Sequence, residues 1–202
     1  KDVRVRVVHK PNAGYGAAVN TGFDLAVGEW IGIVEPDDWI EPDMYESLIA
    51  CAQELKCDMV KSDYISVTLD CLDGEVKMLG VKTPGLFRIS DEAHILQGHP
   101  SIWTCLYRRK FLAANEIRMQ EIPGAAWQDN LFFVKTMLLS KSNAYLPGAF
   151  YHYRDFPAKL KDYRIPLLRS QEIASWMKTL PDCAQSVKAS IGSRFASNYY
   201  LA

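Results

Sequence analysis

The sequence predicts an α/β fold in which a mostly parallel central sheet is flanked by helices, with further helices at the C-terminal end. Strand-like and helix-like patterns alternate over residues 3–64, an order typical of layered α/β folds. Residues 30–34 form an apolar run without polar alternation, which indicates a strand buried on both faces of a parallel sheet. Gly28 before this run and Pro42 after it are typical of a helix end and a helix start.

The individual elements follow from periodicity and from turn residues. Residues 3–7 alternate valine with arginine and predict a half-buried strand. Asp73-Gly74 and Pro84-Gly85 predict turns. Further strands are predicted at residues 59–64, 102–106 and 144–153, and helices at 17–27, 41–55, 91–96, 108–115, 128–139, 166–180 and 184–201.

The composition is that of an ordinary soluble domain. The 202 residues have a net charge of −1, so we expect no nucleic-acid partner. Five cysteines without a CxxC pair predict reduced thiols in the cytoplasm. No apolar run approaches the ~20 residues of a spanning helix, and no signal peptide is visible. The chain opens at Lys1 inside a strand pattern, so we expect a segment of a longer protein.

Three acids follow the apolar run directly, at Glu35, Asp37 and Asp38. Ligands of open α/β sheets bind at the carboxyl ends of strands. Carboxylates there suit Mg²⁺ or Mn²⁺, which often bridge to substrate phosphates. Helix-capping acids on a solvated turn are the alternative.

A second motif, Asn12-Ala13-Gly14-Tyr15-Gly16, precedes a predicted helix. Glycines there let backbone N–H groups approach an anion. An ordinary turn into a helix is the favoured explanation of the motif.

Two later motifs carry candidate side chains. Asp129 stands in the first turn of a predicted helix, as a cap or as a carboxylate that takes a proton from an attacking hydroxyl. His152 is predicted to be structural, and Arg154 is either a surface cation or a diphosphate clamp.

The order of these motifs resembles the family 2 inverting glycosyltransferases, which have a GT-A fold. The resemblance covers roughly residues 4–155 and is closest to a bacterial branch that builds surface polysaccharides. The matching segments are His9-Lys10-Pro11-Asn12-Ala13-Gly14, Asn20-Thr21-Gly22, Ala26-Val27-Gly28-Glu29-Trp30, residues 35–43, Gln128-Asp129-Asn130-Leu131-Phe132 and Tyr151-His152-Tyr153-Arg154.

This resemblance implies a sugar transfer from a nucleotide-diphosphate sugar, of UDP type, to a hydroxyl of a glycan or lipid-linked glycan, with inversion. It implies that Asp38 contacts the metal, that Asp37 contacts metal or ribose, and that Asp129 is the general base. Arg154 is implied near the diphosphate or acceptor and Trp127 beside the acceptor sugar. The other implied substrate-binding residues are Asn12, Gly14 and Gln128.

The resemblance also implies a partial GT-A catalytic domain at residues 1–155 and a C-terminal helical extension at 156–202. The family's opening strands are absent, and Glu35 replaces its first metal-motif acid. We expect a cytoplasmic protein, with attachment to the inner face of the membrane left open. The alternatives are a sugar-phosphate nucleotidyltransferase and an inactive, truncated module that binds glycan or nucleotide.

Overall fold

The computed structural model describes residues 2–123, 127–156, 162, 164–181 and 183–201. Its helices are α1 Tyr15–Leu25, α2 Met44–Leu55, α3 Arg109–Ala114, α4 Asp129–Leu139, α5 Ile165–Met177 and α6 Gln185–Leu201. Its strands are β1 Trp30–Gly32, β2 Trp39–Ile40, β3 Met59–Val67, β4 Glu75–Lys77, β5 Gly85–Phe87, β6 Cys105–Arg108 and β7 Asn143–Arg154. Two 3-10 helices span Ala93–Gln97 and Ile102–Thr104.

The strands form one mixed sheet in the order β1-β6-β3-β7-β2, with β4 beside β3 and β5 beside β7. Of the strand pairs in the described residues, β3 and β7 are parallel and the others are antiparallel. The predicted α/β class is therefore correct, whereas the mostly parallel sheet is not. Strands of parallel sheets often read as apolar runs, but β1, which pairs antiparallel with β6, shows that such a run does not require a parallel neighbour.

The burial of the apolar run at residues 30–34, which contains β1, also differs from the prediction. Ile31 and Ile33 are buried, but Val34 is 45% exposed, so one face of this segment is covered and the other is not. Within the described residues, β1 pairs on one side only, with β6. A strand at the edge of a sheet needs less apolar cover than a central one.

The strand predicted at residues 3–7 does not form. Val3, Val5 and Val7 are 95%, 61% and 67% exposed, and the segment has no strand partner in the described part of the chain. Alternating valines favour an extended backbone, but a strand needs hydrogen bonds from a neighbour. The predicted strand at 102–106 begins later than expected, because the 3-10 helix Ile102–Thr104 precedes β6.

The core lies between the sheet and the helices α2 and α4. Leu48 of α2 and Phe133 of α4 are fully buried, as is Val60 of β3. The long parallel pairing of β3 with β7 runs through this core and is interrupted by irregularities between Ser62 and Tyr64. This pairing carries β7 to Arg154, next to the loop that follows β1, and so positions the candidate site.

Candidate active site

The acidic loop after β1 is folded onto the first helix. Tyr15, the first residue of α1, donates its hydroxyl hydrogen to Glu35 Oε1 at 2.5 Å. The Asp38 N–H donates to the Glu35 carbonyl oxygen at 3.3 Å, which closes a turn. Glu35 and Asp38 are half-buried, whereas Asp37 is exposed. Glu35 therefore shapes the loop, and Asp37 projects to solvent.

Tyr151 of β7 fixes the same loop from the sheet side. Its hydroxyl oxygen accepts the Glu35 N–H at 2.9 Å, and its hydroxyl hydrogen is donated to Asp38 Oδ2 at 2.9 Å. The Arg154 N–H donates to the other oxygen, Asp38 Oδ1, at 2.8 Å. Tyr151 is fully buried and stacks on Trp103 with ring centroids 4.2 Å apart. The Asp38 carboxylate thus has a defined orientation.

The acids of the loop perturb one another. Burial, followed by the charges of Asp38, Asp37 and Asp129, raises the pKa of Glu35, although the Tyr15 hydrogen bond opposes the shift. Burial also raises the pKa of Asp38, and the charge of Asp37 adds to that shift. A bound cation would relieve this repulsion.

The donor set suits a hard divalent cation. Asp37 and Asp38 offer carboxylate oxygens, and Mg²⁺ is usually held by one or two carboxylates together with substrate phosphates. The described residues contain no group of three or more His, Cys, Asp or Glu side chains that could hold a metal ion by themselves. A metal held by Asp37 and Asp38 would complete its coordination with water and substrate phosphates.

Asp129 begins α4, and its segment is joined to the acid loop through α1, because Tyr15 bonds to Glu35 and the Gly16 N–H bonds to Gln128. Burial raises the pKa values of Glu35 and Tyr15, and the charge of Asp129 adds to both shifts. Its Oδ1 accepts a hydrogen bond from Asn130 Nδ2 at 3.0 Å. Burial raises the pKa of Asp129, and the charge of Arg194 opposes that shift. The fold thus brings together two motifs that are far apart in sequence.

The glycine motif is bridged to the Asp129 segment. Asn12 Oδ1 accepts the Gly14 N–H at 3.0 Å, and buried Gln128 accepts the Gly16 N–H through Oε1 at 2.9 Å. Gln128 Nε2 donates in turn to the Ile122 carbonyl oxygen at 3.1 Å. The N–H of Gly16 therefore faces Gln128, and the motif connects two loops of the site.

Close packing explains why glycine stands at position 16. A Cβ built there would lie 1.9 Å from the carbonyl oxygen of Gln120 and 2.9 Å from Gln128 Oε1. Gly14 has a positive φ of 89°, which favours glycine for conformational reasons. Neither requirement depends on a bound anion.

Arg154 and its neighbours form the outer edge of the site. The exposed guanidinium of Arg154 lies 5.3 Å from the ring centroid of Trp39. The Trp39 ring stacks on His152, and His152 Nε2 lies 2.6 Å from Glu41 Oε1. This contact agrees with the predicted structural role of His152. The backbone N–H of Arg154 bonds to Asp38, so the residue itself lies beside the acid loop.

Trp127 precedes Asp129 closely and is half-buried, with a positive φ of 61°. Residues 124–126, which precede Trp127, lie outside the described residues.

Sequence reasoning missed three contributors to the site. Tyr15 stands inside the glycine motif and Tyr151 inside a later quoted motif, but neither was assigned a role. Arg194 lies in the predicted C-terminal helix and is buried. An arginine in a segment with small neighbours (Gly192, Ser193, Ala196) was the available signal for a buried cation.

Comparison with known proteins decides the family. The family model described as "Glycosyl transferase family 2" matches residues 1–114. The chain belongs to glycosyl transferase family 2. The acid loop that follows β1 lies inside the matched residues, and Asp129 lies beyond them.

Family 2 relatives extend the likeness through most of the chain. The putative glycosyltransferase EpsH of Bacillus subtilis is 29% identical over 161 residues, which cover 76% of this chain and 45% of EpsH. The uncharacterized glycosyltransferase EpsJ of the same organism is 28% identical over 167 residues, covering 80% of this chain and 48% of EpsJ. The chain therefore spans about half the length of these curated relatives.

A solved structure supports the same fold. The crystal structure of S. aureus TarS 1–349 in complex with UDP-GlcNAc superimposes with a TM-score of 0.76 at 18% identity. The match covers 96% of this chain and 55% of that one. The likeness confirms the predicted GT-A fold, with a mixed sheet and flanking helices.

A separate observation concerns membranes. Within the described part of the chain, no helix combines the length and the apolar character needed to cross a bilayer.

Proposed function

We propose that the protein transfers a sugar from a nucleotide-diphosphate sugar, of UDP type, to a hydroxyl group of a glycan acceptor, with inversion at the anomeric carbon. The observation that carries the proposal is that the first turn of α1 joins the acid loop to the segment of Asp129: Tyr15 bonds to Glu35, and the Gly16 N–H bonds to Gln128, the residue before Asp129. A transferase of this kind needs one carboxylate for the attacking hydroxyl and a separate charged site for the leaving diphosphate.

Asp129 is the proposed general base. Its carboxylate takes the proton of the acceptor hydroxyl while the hydroxyl oxygen forms a bond to the anomeric carbon. The bond from that carbon to the diphosphate oxygen breaks, and its electron pair leaves with the diphosphate. Burial raises the pKa of Asp129, which makes it a stronger base than an exposed aspartate.

Asp37 and Asp38 are the proposed ligands of Mg²⁺ or Mn²⁺. When bound, the metal neutralises negative charge on the leaving diphosphate. Tyr151 and the Arg154 N–H orient Asp38 for this task, and exposed Asp37 is free to face either metal or ribose. The Arg154 guanidinium supplies a further positive charge beside the diphosphate.

The remaining predicted substrate-binding residues either hold loops of the site together or line its donor and acceptor sides. Gln128 acts through the loops that it joins, because its carbonyl oxygen accepts the Gly16 N–H. Asn12 and Gly14 are proposed to line the donor side, since they lie on the loop that enters α1. Trp127 is proposed to lie on the acceptor side, two residues before the base.

The acceptor class and the cellular setting extend this proposal. The sequence resemblance supports a bacterial enzyme of cell-surface polysaccharide synthesis, and the two Bacillus subtilis relatives support a bacterial glycosyltransferase. A lipid-linked glycan at the cytoplasmic face of the membrane would be the acceptor in that setting.

A donor-consumption assay tests the proposal. The protein that carries this chain, at its natural full length, is incubated with a panel of UDP-sugars, Mn²⁺ and glycan acceptors, and UDP release and product mass are measured. We expect UDP release that disappears with EDTA and with Asp129→Asn. Pyrophosphate release from UTP and a sugar phosphate would instead identify a nucleotidyltransferase. Glycan or nucleotide binding without any turnover would identify a binding module.

A further inference from the structure

Arg194 is a buried cation on the C-terminal helix α6. The residue is only 5% exposed, and its guanidinium reaches across to the catalytic domain. Nη1 donates to the carbonyl oxygens of Leu96 at 2.9 Å and of Gly98 at 2.5 Å. Nη2 donates to Oδ1 of Asn130, the second residue of α4.

These bonds orient the amide of Asn130. A guanidinium can only donate hydrogen bonds, so the amide oxygen Oδ1 must face Arg194. The amide nitrogen Nδ2 then faces Asp129 and donates to its Oδ1 at 3.0 Å. Arg194, Asn130 and Asp129 thus form a directed chain of hydrogen bonds from α6 to the carboxylate.

A buried charge of this kind lowers the stability of the fold unless its surroundings compensate it. None of the ion pairs found among the described residues includes Arg194. Its Nε has no hydrogen-bond partner in that part of the chain. Taking a guanidinium out of water costs several kcal/mol, and the hydrogen bonds to Leu96, Gly98 and Asn130 are what offset that cost.

We propose that Arg194 is a positioning residue for the general base: its guanidinium fixes the amide of Asn130, and that amide orients the Asp129 carboxylate. The inference rests on the proposed function, in which Asp129 takes the acceptor proton. It assigns a task in catalysis to α6, which the sequence alone placed in a C-terminal extension.

The other groups around Asp129 do not replace Arg194. Burial raises the pKa of Asp129, and the charge of Arg194 acts in the opposite direction. Burial lowers the pKa of Lys61, and its amino group donates to Ser101 and Thr104. The remaining titratable groups that respond to the charge of Asp129 are Tyr15, Glu35, Tyr107 and Tyr153.

The test measures the pKa of Asp129 directly. The protein is labelled with ¹³C at the aspartate carboxyl carbons, the Asp129 signal is assigned with Asp129→Asn, and its chemical shift is followed against pH. In Arg194→Gln, which removes the charge but keeps a planar donor, we expect the pKa to rise by about one unit. Lys188→Gln is the matched control, because Lys188 is an exposed cation on the same helix and its loss should leave that pKa unchanged.

The same variants are then assayed for sugar transfer. In Arg194→Gln we expect the acid limb of the kcat–pH profile to move up by the same amount, with KM for the donor unchanged. A merely structural role would lower activity at all pH values without moving the limb. If Arg194→Gln does not fold, Asn130→Ala takes its place, with a smaller shift in the same direction.

The outcomes separate the two proposals. An unchanged pKa of Asp129 together with an unmoved acid limb would overturn the role of Arg194 while sugar transfer stands. Full transfer by Asp129→Asn would overturn the proposed function, and with it the catalytic meaning of the Arg194 contact.

Discussion

Replacing Tyr151 with phenylalanine removes one hydroxyl that serves two partners. The fully buried oxygen accepts the Glu35 N–H and donates to the Asp38 carboxylate, each at 2.9 Å. A hydrogen bond to a charged group contributes about 1.5–3 kcal/mol, and a buried donor left unpaired costs about 1–3 kcal/mol. One hydroxyl group makes both hydrogen bonds, so the two losses do not simply add. We therefore expect Tyr151→Phe to lower the free energy of unfolding by about 2–4 kcal/mol.

The same change should also weaken metal-dependent donor binding. Groups that orient a metal ligand typically change metal affinity 10–100-fold when they are removed. Urea unfolding measures the stability loss, and a Mn²⁺ titration of UDP binding measures the effect on the site. Tyr145→Phe is the matched control, since buried Tyr145 on the same strand donates to the Asp63 carboxylate at 2.8 Å. Equal effects of both variants on the Mn²⁺ requirement would refute the reasoning.

Three further predictions follow from single contacts. Gly16→Ala should lower the free energy of unfolding by about 1–3 kcal/mol, because its Cβ would lie 1.9 Å from the Gln120 carbonyl oxygen. Gly22→Ala on the same helix meets nothing within 4 Å and should raise the free energy of unfolding by about 0.5–1 kcal/mol. Thermal unfolding of the two variants checks both signs. Asp129 must be deprotonated to act as a base, and burial raises its pKa. We therefore expect kcat to rise with pH along an acid limb whose apparent pKa lies above the ordinary aspartate value of about 3.9. An apparent pKa at or below that value would contradict the assignment. Removal of divalent metal by EDTA should abolish UDP-sugar turnover. Readdition of Mn²⁺ should restore the turnover of the wild type at a lower Mn²⁺ concentration than it restores that of Asp38→Asn. Turnover that EDTA leaves intact would exclude the metal role.

Local patterns predicted most of the elements. The helix α2 begins after Pro42 and ends at Leu55 as its apolar spacing indicates, and the Asp73-Gly74 turn joins β3 to β4. These elements are specified by residues within one or two turns of each other. The acid loop was predicted for the same reason, because its three carboxylates are neighbours in sequence.

Long-range pairing could not be predicted in the same way. The direction of β6 against β3 depends on contacts between residues 59–61 and 105–107, and no local pattern encodes it. The strand predicted at residues 3–7 failed because strand formation requires a partner, whatever the propensity of the segment. Arg194 was missed for a related reason, since its partners lie about 60 and 100 residues earlier.

The central claim is that the acid loop binds the donor and Asp129 performs the proton transfer. One paired measurement tests it most directly: UDP affinity by calorimetry with Mn²⁺, and UDP-sugar turnover, in wild type and Asp129→Asn at the protein's natural full length. We predict that UDP affinity stays within about threefold and that kcat falls by about 10²–10⁴-fold. Turnover that survives in Asp129→Asn, or a loss of affinity as large as the loss of kcat, would contradict the account.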